Sequence, residues 1–171
     1  MKAFNNIIYL ALCIVLTGCG LAQSVSEGTA NVAKAIFIWD VRTVHLDFTA
    51  RAELNIDDNH QSSPVMIRIY QLKEPKSFES ATYSSLVQND QETLAASLLA
   101  TKEIVLKPKT SISIDMPFDK EADYVGIIAL FKDPDIKANN WRILLKRGDL
   151  NINSPRSIIA NKFSITLVAE E

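Results

Sequence analysis

Several things are scarce in this chain, and each scarcity removes a class of function. Of 171 residues only two are histidine, His45 and His60, and only two are cysteine, Cys13 and Cys19. No G-x-S-x-G, G-x-x-x-x-G-K-[ST] or H-E-x-x-H sequence occurs, so the common hydrolase, nucleotide-binding and metalloprotease signatures are absent. Charge of one sign is also lacking: 18 basic against 20 acidic residues give a formal net charge of −2. That balance argues against nucleic acid and against electrostatic docking on anionic lipid. The longest N-terminal apolar run, Ile7 to Leu16, is ten residues, about half of what a membrane-spanning helix needs. Solenoid-spaced repeats are not evident either.

The few candidates for chemistry read as ordinary structure. His45 falls on the polar parity of a strand, and His60 lies in a loop. Asp57 with Asp58, and Asp133 with Asp135, lack the spacing and closing glutamate of an EF-hand, and are read as turn aspartates. Asp119, Glu121 and Asp123 alternate before a strand and suit a solvated approach to it. No catalytic constellation, metal site or small-molecule substrate is expected. The chain reads as a binding protein, not an enzyme.

What is present begins at the N-terminus. Lys2, an apolar core and small residues before Cys19 have the form of a secretory signal peptide. Leu16-Thr17-Gly18-Cys19 resembles the lipobox of bacterial lipoproteins. A diacylglyceryl group is attached to a thiol, so the modified position must be cysteine, and the small residues admit the peptidase. Cleavage there removes residues 1–18 and Cys13 with them, leaving 171 − 18 = 153 residues, one domain's worth, and losing Lys2 takes the charge from −2 to −3. The one remaining cysteine is acylated, so neither an intrachain disulfide nor a Cys/His zinc set is available. The resemblance further implies outer-membrane sorting, since position +2 is Gly20 and not Asp. The expected additions are covalent diacylglycerol and an N-acyl chain on Cys19, enough for stable anchoring without spanning.

Residues 19–35 read as the lipidated cysteine and a flexible tether, and 36–171 as a β domain. Fourteen small and polar residues, Gly20 to Ala33, give a root-mean-square span of about 20 Å. The following Lys34 to Val41 is apolar enough to pack on the domain or to touch the membrane surface. From Val44 to Ile56 every even position is apolar, which predicts a long strand with one buried face. Asp57 to Pro64 is a turn-rich loop and Val65 to Leu72 a second strand, expected to pair antiparallel with the first. Pro75 opens a helix in which Phe78, Ala81, Thr82, Ser85 and Leu86 share one face, and a second helix is expected from Gln91 to Leu98. This helical insertion covers about 75–98. Strands follow in "KEIVLKP", "TSISIDM", "DYVGIIALF", "WRILLKR" and "KFSITLVA", with "GDLNINSPRSIIAN" read as irregular. About seven to eight strands with a helical insertion predict a mainly β sandwich.

The stretch Thr49 to Leu86 resembles the TssJ family, outer-membrane lipoproteins of the type VI secretion system. The matching features are Leu54-Asn55, the polar loop, Ser63-Pro64, Arg68, Tyr70-Gln71-Leu72, Phe78 and Leu86, then "GIIALFKD" and Trp141-Arg142. The resemblance implies a transthyretin-like sandwich without enzymatic activity that binds the periplasmic C-terminal part of TssM. It also implies that the first loop, Asp57, Asp58, Asn59, His60, Gln61 and Ser62, is the contact element. Relatives often place proline after the loop's first asparagine; here Asn55 is followed by Ile56, so the fixed φ of proline is missing from the loop's start.

Two other roles fit a small secreted β domain. A pilotin or chaperone of another outer-membrane assembly would carry the same anchor. A transthyretin-related hydrolase would need histidines, an arginine and a Tyr-Arg-Gly-Ser tail, whereas this chain ends "TLVAEE".

Overall fold

A computed structural model describes residues 41–169. The signal segment, Cys19 and the tether lie outside the described residues, as does the apolar Lys34–Val41 stretch except for Val41, which is buried.

The period-two pattern does what it predicts. Strand β1, Thr43–Leu54, turns Val44, Leu46, Phe48, Ala50 and Leu54 into the core. Ala52 breaks the sequence expectation and is exposed, because β1 shifts register against its neighbour between Ala50 and Leu54. The remaining strands are β2 (Val65–Leu72), β3 (Leu98–Leu106), β4 (Ser111–Pro117), β5 (Tyr124–Leu130), β6 (Arg142–Lys146), β7 (Arg156–Lys162) and β8 (Ser164–Leu167). They form two four-stranded sheets, ordered β4-β1-β7-β8 and β3-β2-β5-β6. The domain is a β-sandwich, as expected from the sequence.

Two expectations about pairing fail. β1 and β2 do not pair: they lie in different sheets, so the loop between them crosses the sandwich. β1 instead pairs antiparallel with β4 and parallel with β7. The segment read as irregular contains β7, which sits inside its sheet between β1 and β8. It pairs in parallel with the distant β1 on one side and antiparallel with the adjacent β8 on the other.

β5 meets the expectation for a strand covered on both faces, with Val125 to Ala129 all buried. One face is the sandwich core. The other lies under the β2–β3 insertion, where α1 (Lys76–Ser80) and α2 (Tyr83–Thr93) replace the single helix expected from Pro75. Ala81 is extended at φ −66°, ψ 142°, and ends α1. Thr82 then starts α2 with a reciprocal capping box to Ser85. The second expected helix is present but short: Asn89 is non-helical (φ −142°, ψ 49°) and divides α2 into two helices meeting at a kink, the second ending at Thr93, and Leu98 already belongs to β3. Phe78, Leu86 and Leu94 are the insertion's buried apolar residues.

Gly126 makes the insertion's close seating possible. A Cβ there would lie 2.8 Å from the Phe78 ring, so only glycine lets the aromatic lie on the strand. Two arginines then clamp the helices from the sheet. Arg142 donates to the carbonyls of Phe78 (2.7 Å), Glu79 (3.0 Å) and Ala81 (3.1 Å), the open end of α1. Arg68 donates to Glu103 (2.6 Å) and to the carbonyl of Leu86 (3.0 Å), while Tyr70 donates to Asp90 at 3.0 Å. Burial acts against the Arg68 charge, but Glu103 and Asp90 outweigh it and hold the pKa above its ordinary value. Burial and the Asp90 carboxylate push the Tyr70 phenol upward.

Candidate functional site: the loop end of the sandwich

β1 ends at a residue in the left-handed conformation, Asn55, with φ 46°. Asparagine tolerates this region better than other non-glycine residues. Its side chain is buried and fully used. Nδ2 donates to Ser63 Oγ (3.1 Å) and to the Pro64 carbonyl (3.0 Å), and Oδ1 accepts the Lys132 N–H (2.9 Å). Its backbone N–H donates to the Lys162 carbonyl at 2.7 Å, and its carbonyl accepts from Ser63 Oγ at 2.8 Å. One residue thereby joins the β1–β2 loop, the start of the β5–β6 loop and the β7–β8 turn. With Ile56 and not proline next in the chain, these Asn55 bonds hold the start of the loop.

The six residues of the expected contact loop stand together beyond this point. Asp57 organises them: its carboxylate accepts the N–H groups of Asn59 (3.0 Å) and Gln61 (2.9 Å). Its backbone carbonyl accepts the His60 N–H at 2.9 Å, and His60 adopts φ 60°. The Gln61 N–H bond, opposed by slight desolvation and aided by Asn59 and the Lys132 charge, holds the Asp57 carboxyl below its ordinary value. Ser62 Oγ donates back to the Ala52 carbonyl at 2.7 Å. Asp58, Asn59, His60, Gln61 and Ser62 are all exposed. The result is a polar loop whose internal bonds are already made, so little ordering entropy is left to lose on contact.

The opposite end of the sandwich receives the chain from its N-terminal side. There the buried Arg147 donates to the carbonyls of Val41 (3.1 Å) and Asp119 (2.7 Å), and to Ala122, with its guanidinium 4.0 Å from the Phe118 ring centroid. Burial lowers its pKa, although Asp123 and Asp119 act the other way. β1 connects the two ends: twelve residues at 3.3 Å per step separate Thr43 from Leu54 by about 36 Å.

The other residues singled out in the sequence are placed apart from this loop. His45 pairs with Asp115 at 2.5 Å on the outer face of the β4–β1 pair. Asp135 organises its own turn by accepting from the N–H groups of Lys137 and Ala138. No group of three or more His, Cys, Asp or Glu among the described residues is placed to hold a metal. Sequence reasoning passed over Asn55 as a structural keystone, as well as Lys132 and Arg147. The signal for Asn55 was there, an asparagine closing a long strand just ahead of turn residues. Arg147 carried none, since its partners are carbonyls brought from distant segments.

Residues 42–169 match the family model described as Type VI secretion lipoprotein, VasD, EvfM, TssJ, VC_A0113. The chain belongs to this family. Solved structures agree. A chain in a structure described as "Type VI membrane complex" is 40% identical, with a TM-score of 0.73, over 75% of this chain and 99% of that one. A chain in the structure described as "T6SS protein TssM C-terminal domain (869-1107) from EAEC" is 36% identical, with a TM-score of 0.71, over 76% of this chain and 100% of that one. The T6SS lipoprotein TssJ1 from Pseudomonas aeruginosa is 26% identical at a TM-score of 0.65, over 76% of this chain and 97% of that one. No protein of curated function matches the sequence. Members of this family are lipoproteins of the secretion apparatus, and the residues matched cover the whole sandwich, including the Asn55 junction and the three segments that it joins.

Proposed function

We propose that this protein is the outer-membrane-anchored lipoprotein of a type VI secretion membrane complex, binding the periplasmic C-terminal part of TssM through Asp57–Ser62. In this reading it carries out no reaction and takes no cofactor. Its work is to hold one end of a trans-envelope assembly. The carrying observation is the position of the Asp57–Ser62 loop, preorganised by Asp57 and Asn55 at the end of β1 remote from Val41. The chain from Cys19 joins the described domain at Val41, at the other end of β1, so the loop is left clear of the anchor's point of attachment. Leu16-Thr17-Gly18-Cys19 supports acylation of that thiol, and Gly20 supports sorting to the outer membrane. The related chains in structures described by TssM and by the membrane complex support the choice of partner.

The test uses the acylated protein in detergent, with Asp57–Ser62 replaced by a Gly/Ser loop of equal length. Calorimetry against the periplasmic part of TssM is expected to show at least a tenfold loss of affinity (about 1.4 kcal/mol). Unchanged affinity would move the interface elsewhere. Cys19→Ser, followed by labelled palmitate and membrane fractionation, is expected to give an unlabelled protein released from the outer membrane. Label retained on that variant would end the lipid-anchor reading.

A further inference from the structure

The Asp57–Ser62 loop has a composition that does not by itself make a strong interface. All six side chains are polar or charged, whereas the centre of a specific interface is depleted in charge and gains most of its affinity from a few buried apolar or aromatic anchors. Building on the reading above, we propose that the neighbouring β5–β6 loop, Phe131–Trp141, is the second half of the TssM-binding surface and that Ile136 is its apolar anchor.

Three observations carry this. The first is continuity: the Lys132 N–H at the start of this loop is bonded to Asn55 Oδ1 at 2.9 Å, and the Lys132 charge acts on Asp57. The two loops therefore leave the sandwich side by side from one shared junction. The second is exposure. Ile136 is 57% exposed, the highest value among the exposed large apolar residues of the described region. The third is rigidity. The loop's roots are fixed by Tyr83, which donates to the Phe131 carbonyl at 2.6 Å and packs edge-on against Trp141 at 5.0 Å. Its turn is closed by the Asp135 carboxylate, which accepts from Lys137 and Ala138, and by the Asn139 N–H bonded to the Asp135 carbonyl at 3.1 Å. An isoleucine shown to water on a braced turn exposes apolar surface that its own fold does not cover.

The occupant follows from position. The partner that reaches the Asp57–Ser62 loop also reaches its neighbour, joined to it through the Asn55–Lys132 bond. An apolar recess on that same partner, beside the surface that takes the polar loop, is the complement. Met66 and Val105, directly opposite each other on β2 and β3, are exposed at this same end and extend the apolar margin.

The experiment measures affinity of the acylated protein in detergent for the periplasmic part of TssM, comparing Ile136→Asp, Ile136→Ala, the Gly/Ser loop replacement and Ile152→Asp. Ile152 is an exposed apolar residue between β6 and β7, and its variant serves as a control. Ile136→Asp is expected to weaken binding roughly 10- to 100-fold, the range for withdrawing one buried aliphatic side chain. Ile136→Ala should weaken it by a smaller factor with the melting temperature preserved, and Ile152→Asp should bind normally. Normal binding by both Ile136 variants, beside weakened binding by the loop replacement, would overturn the anchor and leave the loop reading standing. Normal binding by all four would overturn both. Loss of vesicle binding or of self-association in Ile136→Asp, with TssM affinity intact, would overturn the proposal by assigning the side chain to lipid or to a second copy.

Discussion

The helical insertion between β2 and β3 and the polar loop between β1 and β2 are both departures from the sandwich, held in place by opposite means. The insertion is fixed by burial: Phe78 on Gly126, Leu86 and Leu94 beneath the helices, and arginines closing the carbonyl ends. The loop buries almost nothing of its own and is fixed by hydrogen bonds that converge on Asn55 and Asp57. The difference separates two duties. Surface committed to the core cannot also serve a partner, whereas a loop ordered by polar bonds keeps its outer atoms available.

That contrast can be broken by mutation. The largest effect belongs to the insertion: Phe78→Ala should cost about 3–5 kcal/mol, from lost burial and the cavity left over Gly126. Urea unfolding measures it, and a loss below 1 kcal/mol would mean that the helices do not share the domain's core. At the loop's base, Asn55→Ala removes three side-chain bonds and puts a less tolerant residue at φ 46°. The expected cost is about 2–4 kcal/mol. Asn55→Gly keeps the conformational freedom but loses the amide, so a smaller loss than in Asn55→Ala would separate backbone strain from lost hydrogen bonds.

The smallest effect concerns Asp57. Its folded-state pKa is depressed from 3.8, so the order that its carboxylate gives the loop is present above that value and is lost as the pH falls below it. Amide exchange at Asn59 and Gln61 should accelerate on acidification through this range while the core strands stay protected. Asp57→Asn should remove the pH dependence. If acid affected core and loop alike, the loop's order would be inseparable from the fold.

How much was readable beforehand differs along the chain. β1 and β5 were legible because side-chain alternation and an unbroken apolar run are local consequences of facing one core or two. β7 was not, because its interior place in the sheet depends on parallel pairing with β1, more than a hundred residues earlier, as well as on the adjacent β8. The expected β1–β2 pair failed for a related reason: adjacency in sequence suggested a hairpin, whereas the Asp57–Pro64 connection spans two sheets. The six loop residues were named through family resemblance. Their arrangement depends on Asn55, whose partners at Pro64, Lys132 and Lys162 come from three later segments.

The sequence by itself determined that a β domain follows a lipobox-like segment, and that conventional catalytic motifs are missing, since these depend on residue identity and short-range period. Only the tertiary structure decided which strands share a sheet, that one buried asparagine joins three loops through side chain and backbone, and that the polar loop and Val41 stand at opposite ends of β1. Those properties belong to contacts between distant segments, and hydrogen bonds and packing across such distances have no local sequence period to announce them.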